Sequence, residues 1–180
     1  KEVPEREAGD HQPLRLVEKA HLASAGGQLN WAARQASWHL QAGVSRCQQM
    51  AGLDDPDALK EVNSLIKRGK QPLNVVIKKL PCSMDEMLAL AVSDASYAGM
   101  PGGASQGGMA IAFADPKIID GEATLVIVDI SSCKIKRVVR ASMGAEISNG
   151  TATYEHGDYV RAALAEMTCP DFELKKWRRF

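Results

Sequence analysis

"LALAVSDASYAGMPGGASQGGMAIAFAD" (Leu88–Asp115) is the stretch whose reading decides the fold. Leu88, Leu90 and Val92 recur at every second position, the period of a strand with one buried face. "YAGMPGGA" then gathers proline and glycine in a turn-forming cluster. A second apolar run follows, so the stretch predicts strand, turn, strand. The next position in the row of Leu88, Leu90 and Val92 is Asp94. Carboxylates are rarely buried unless they are paired or bound to a metal. The row therefore predicts a partner for Asp94 at the rim of the core.

Strands are expected at about 87–95, 105–114 and 122–131, with "DPKIIDG" as the second turn. Short links between consecutive strands imply an antiparallel meander. Leu125–Ile130 is apolar on both faces, which predicts cover on both sides or a close neighbour. From Lys136 onward the period returns to that of a helix, with Val139, Met143 and Tyr154 in one stripe. Glu146 falls in the same stripe. Gly150 and Gly157, each costing about 1 kcal/mol against alanine in a helix, can mark a break. A helix after a meander packs its apolar stripe on the sheet. Asp94 and Glu146 then meet at one rim of that packing. Two adjacent carboxylates repel, and a divalent cation removes the repulsion; oxygen ligands suit magnesium or manganese. Periodicity alone leaves open the alternative of a turn aspartate and a solvated glutamate.

Ahead of this region, Pro13 to about Met50 reads as two helices. Leu16, Val17, Ala20 and Ala23 suit the first; Leu29, Ala32, Ala33 and Ala36, within "GGQLNWAARQASWHLQAGVSRCQQM", suit the second. In "LDDPDALKEVNSLIKRGK", Asp55 can cap, Pro56 fits the first helical position, and Gly69 ends the helix. Leu59, Val62, Leu65 and Ile66 form its buried stripe. "PLNVVIKKLP" predicts a short strand. The organisation expected is a polar, loose tail over 1–12, a helical segment over 13–81, and a mixed unit over 82–180.

Lys plus Arg and Asp plus Glu are each 22, so the formal net charge is zero. That excludes a strong overall electrostatic footprint for nucleic acid and leaves local clusters. "KIKRVVR" supplies Lys134, Lys136, Arg137 and Arg140, which suit either phosphate contacts or a solvated face; "KKWRRF" at the end is a shorter mixture of the same kind. No apolar run has the length of a membrane span. Cys47, Cys82, Cys133 and Cys169 are scattered without metal-ligand spacing, as expected of free thiols in an intracellular compartment, cytoplasmic or nuclear. The glycine-rich run lacks GxxxxGK[ST] and lies between strands, so it is not a phosphate loop.

"SDASYAGMPGGASQGG" followed by "SSCKIKRVVRASMGAE" resembles the ribonuclease H region of copia-type retrotransposon polyproteins. "GQLNWAARQ" and "NSLIKRGKQ" resemble the segment that joins reverse transcriptase to it. The resemblance spans about residues 20–165. It implies an α/β (α+β) ribonuclease H-like domain, here incomplete, with a three-stranded meander packed by a long helix and preceded by a helical segment. It also implies cleavage of RNA in RNA–DNA hybrids by two-metal catalysis. Asp94 matches the family's first-strand metal-binding aspartate and Glu146 its long-helix glutamate; both are thereby the expected catalytic and metal-binding residues. Ser105–Gly108 matches a structural "SQGG" turn, and Arg137 and Arg140 match a basic helix start.

The family supplies a third aspartate from a later strand, whereas Asp158 and Asp171 stand in no strand context and the sequence stops at Phe180. The polymerase motif "YxDD" is absent, "ASWHL" (Ala36–Leu40) stands where "TRPD" is usual, and Ala141 replaces a usual serine. The reading is therefore a truncated or decayed copy. It would bind magnesium or manganese weakly, take RNA–DNA hybrid and the missing part of its polyprotein as partners, and cleave poorly. The alternative is a non-catalytic nucleic-acid-binding or interaction module on the same scaffold.

Overall fold

Apolar residues at helical spacing build the first layer. The computed structural model describes residues 2–7, 10–71 and 76–177. Helices α1 (Leu16–Gln35), α2 (Gln41–Gly52) and α3 (Ala58–Gly69) surround Leu22, Ala33, Leu40, Val44, Met50, Leu59, Val62 and Leu65, all buried. The break between the first two helices falls at Ala36–Leu40, not near Ala23. Gly26 and Gly27 lie inside α1, where packing outweighs their weak helix propensity. At the start of α3, the Asp55 side chain accepts the Asp57 N–H at 3.0 Å, and the regular helix begins at Ala58. Cys47 sits in this core, and burial pushes its thiol up to about 11, so it stays protonated.

The opening residues, expected as a loose tail, run along the helices instead. Val3 is buried in the same core, and Arg6 forms an ion pair with Glu18. The segment expected as a strand before β1 lies partly outside the described residues (72–75), and Val76–Leu80 takes no strand pairing.

The second layer is an antiparallel sheet of β1 (Leu88–Met100), β2 (Ala104–Ala114) and β3 (Leu125–Lys134), ordered β1-β2-β3. The turn between β1 and β2 is Pro101–Gly103, where Gly102 and Gly103 have φ of 70° and 69°. These are left-handed values that favour glycine. "SQGG" (Ser105–Gly108) belongs to β2 rather than to the turn. Val128 is bulged out of β3, because Ile111 faces Asp129 while Ala112 faces Ile127.

The third layer is α4 (Ser142–Thr168), 27 residues long. It starts six residues later than Lys136, so the basic stretch lies at the end of β3 and in the linker. A helical turn, α5 (Leu174–Trp177), follows; the end of the basic–aromatic cluster, 178–180, lies outside the described residues. No helix among the described residues is long and apolar enough to cross a membrane.

Side-chain size decides which strand faces α4. A Cβ on Gly157 would meet Ala91 and Ile111; one on Gly150 would meet Ser93. The row Ala89, Ala91, Ser93 and Ala95 therefore faces the helix, and Leu88, Leu90, Val92 and Asp94 point to the other face. This reverses the expected orientation. The helix in turn buries Ala145, Asn149, Thr153, Gly157 and Ala162. Met143 and Tyr154, expected in its core stripe, are 68% and 72% exposed. Small residues on β1 and α4 allow close approach, and Ile111 of β2 packs against Gly157 while Met143 and Tyr154 stay outside the contact.

Helix α2 covers the opposite face through polar contacts. Gln106, adjacent to Gly107 and so pointing away from α4, accepts from Gln49 Nε2 at 3.0 Å and donates to Ser132 Oγ at 3.0 Å. Gln41 donates to Ile130 O at 2.7 Å and accepts from Ser132 N at 3.0 Å. Its amide thus acts as a short substitute strand on β3, whose edge would otherwise be open there. Cover over β3 is incomplete, with Leu125 and Val128 exposed, so of the two expectations for this strand full cover fails, and its neighbour is β2.

Arg6 and Arg15 both hydrogen-bond the Glu18 carboxylate and hold it well below the usual carboxylate range. A depressed carboxylate stabilises the fold above its ordinary value of 4.5, and the contribution fades as pH falls below that. Glu18→Gln is expected to lower the thermal midpoint at neutral pH and to flatten its decline in acid. Melts of both proteins from neutral to acidic pH check this; parallel curves would contradict it.

Candidate functional site

The two acids singled out from the sequence arrive at one stretch of β1. Asn149, buried in α4, donates its amide nitrogen to Asp94 O at 2.9 Å and to Gly108 O at 2.8 Å. Asp94 and Gly108 are directly paired, so both carbonyls point into the gap between β1 and β2. The next N–H along β1, that of Ala95, must then point to the outer edge of the sheet. Glu146, one helical turn before Asn149, accepts that N–H through Oε1 at 3.3 Å. Standard bond lengths keep the Asp94 carboxylate within roughly 9 Å of that oxygen.

Their environments differ from those expected. Asp94 is exposed on the face away from α4, and its side chain has no hydrogen bond or ion pair among the described residues. Glu146 is half-buried and engages the strand with one oxygen. Asp94 therefore does not end a buried row; it stands exposed on the face away from α4, next in the chain to the Ala95 amide that Glu146 holds. No group of three or more His, Cys, Asp or Glu suited to a metal ion occurs among the described residues.

The arrangement depends on Gly107. A Cβ there would stand 2.1 Å from Asn149 Oδ1 and 2.7 Å from its Cγ. The absence of a side chain lets the Asn149 amide lie flat on the sheet. Neither residue was singled out as functional from the sequence. Their signal is an all-small strand row opposite a helix face that carries one amide. Ser105 has a local role, accepting the Ala98 N–H at 3.2 Å where β1 is irregular and Ala98 has φ of 51°.

Lys134, Lys136, Arg137 and Arg140 are exposed and form no ion pair among the described residues. The first three line a groove of about 590 Å³ between the linker and α4, with Ile147 and Glu155 on the helix side. Farther along α4, His156 Nε2 and Asp129 Oδ2 lie 2.5 Å apart and tie the helix to β3. The basic segment and Glu146 thus share the N-terminal end of α4.

The chain matches no protein-family model, no curated protein and no solved structure.

Gly107→Ala and Asn149→Ala are each expected to destabilise the protein by about 1–3 kcal/mol, since each leaves buried polar groups without their bonds. The double variant should cost little more than either single change, because both remove one contact. Urea unfolding of the three variants measures this; full additivity would show that the two residues act independently.

Proposed function

We propose that this chain is the junction of reverse transcriptase and ribonuclease H from a copia-type retrotransposon polyprotein. On this reading α1–α3 form the connecting segment, and the sheet with α4 forms part of a ribonuclease H-like domain. The observation that carries the proposal is the convergence of Asp94 and Glu146 on one edge of β1. A strand aspartate beside a long-helix glutamate is what the resemblance implies.

A divalent ion held there would supply electrostatic stabilisation of a phosphodiester oxygen. Asp94 offers an unencumbered carboxylate, and Glu146 offers the oxygen not bonded to Ala95. Asn149 fixes the backbone on which both acids depend. Magnesium is commonly held by one or two carboxylates together with substrate phosphates. Affinity for the ion should therefore be weak in the free chain and stronger with RNA–DNA hybrid. Lys134, Lys136, Arg137 and Arg140 suit contacts to the hybrid backbone, which position it without reading sequence. With two carboxylates instead of the family's larger set, cleavage should be slow or absent. The four cations, which form no ion pair among the described residues, also favour a second reading, a non-catalytic nucleic-acid-binding module.

Magnesium is expected to tighten binding of labelled hybrid several-fold, and Asp94→Asn to remove that gain. Binding should weaken with salt, with a logarithmic slope of about −0.9 per neutralised phosphate on a duplex. Anisotropy titrations with and without magnesium check both, with gel analysis for cleavage. Salt-sensitive binding indifferent to magnesium would overturn the first reading in favour of the second. Rapid cleavage abolished by Asp94→Asn would mean that a further ligand completes the site.

A further inference from the structure

Residues Glu2–Arg6 lie against α1 and α3 in the manner of a bound peptide. The Val3 N–H donates to Asn63 Oδ1 at 2.8 Å, and Asn63 Nδ2 donates to Val3 O at 2.7 Å and to Glu5 Oε1 at 2.8 Å. Asn63 is 2% exposed, so its amide is committed to this segment. The Val3 side chain joins the helical core and is 7% exposed. Pro4, between these contacts and Arg6, favours extended backbone and provides no N–H that needs a partner. Arg6 then engages Glu18 with two parallel bonds, Nε to Oε1 at 2.8 Å and Nη2 to Oε2 at 2.5 Å.

This division of labour is that of peptide recognition: an amide holds the main chain, and pockets select side chains. We infer that α1 and α3 carry a binding groove for an extended peptide with an apolar residue followed three positions later by arginine, occupied in cis by Glu2–Arg6. The groove is provided for when the segment leaves. Glu18 keeps Arg15 as a partner, through Arg15 Nη2 at 2.6 Å and Arg15 N at 2.7 Å. Asn63 then becomes accessible to water. The short connection from Arg6 to α1 gives the segment a high effective concentration, on the order of millimolar. A free peptide therefore competes only when the native segment is weakened.

The test uses the full chain carrying Val3→Ser and Arg6→Ala, and a labelled synthetic peptide with the sequence of residues 1–13. Fluorescence anisotropy should show saturable binding to this variant, at least about tenfold tighter than to the wild type, whose groove is filled. Adding Asn63→Ala should abolish binding, and an alanine in place of arginine in the peptide should weaken it strongly. Circular dichroism establishes that each variant is folded. The inference is overturned if the folded variant ignores the peptide, if the wild type binds equally well, or if Asn63→Ala has no effect. A double variant that fails to fold overturns it too, because the segment would then be part of the fold and not its ligand.

Discussion

One amide laid on one glycine organises the mixed half of this molecule. Asn149 bonds the carbonyls of two neighbouring strands at once, and only a missing side chain at position 107 gives it room. The contact requires α4 to approach closely, and close approach requires small residues on both surfaces. Ala91, Ser93 and Ala95 on β1 and Ala145, Thr153 and Gly157 on α4 meet that condition. The same contact fixes the phase of the helix, so that Glu146 reaches the outer edge of β1 beside Asp94.

Sheet edges need protection from pairing with other chains. Here a side chain from each neighbouring layer engages an edge: Gln41 on β3 and Glu146 on β1. The two are not equivalent. Gln41 satisfies both a donor and an acceptor, whereas Glu146 satisfies one donor and keeps an anionic oxygen. Lys134, Lys136 and Arg137 line the groove between the linker and α4 and form no ion pair among the described residues, within a chain of zero formal net charge.

The alternation of Leu88, Leu90 and Val92 was enough to read a strand, and the glycine and proline of 99–103 enough to read its turn. The direction of the strand was not legible from the same pattern. Size normally marks the row that faces the packing layer, but here the smaller row faces α4 because the helix must come close. The phase of α4 failed for the same reason. Its buried residues are Ala145, Asn149, Thr153, Gly157 and Ala162, so the larger Met143 and Tyr154 marked the wrong face. The start of α4 was misplaced because "KIKRVVR" fits a helical period while lying in a strand end and linker. Glu146 reaches the amide of Ala95, next to Asp94 in the chain, while the Asp94 side chain points to the other face of the sheet, so the argument from a shared core face does not hold. The opening segment was read as loose from its polarity, since the partners that order it, Asn63 and Glu18, are distant in sequence or already appear paired locally.

The claim that Asp94 and Glu146 share an ion can be examined by anomalous diffraction from crystals soaked in manganese. The account predicts one anomalous peak at the outer edge of β1, directly ligated or water-bridged to both carboxylates, with the Asn149 bonds unchanged. Direct manganese–oxygen bonds there should be close to the length for a hard divalent cation, about 2.1 Å. A peak elsewhere, with Glu146 still bonded to the Ala95 amide and Asp94 bare, would contradict it.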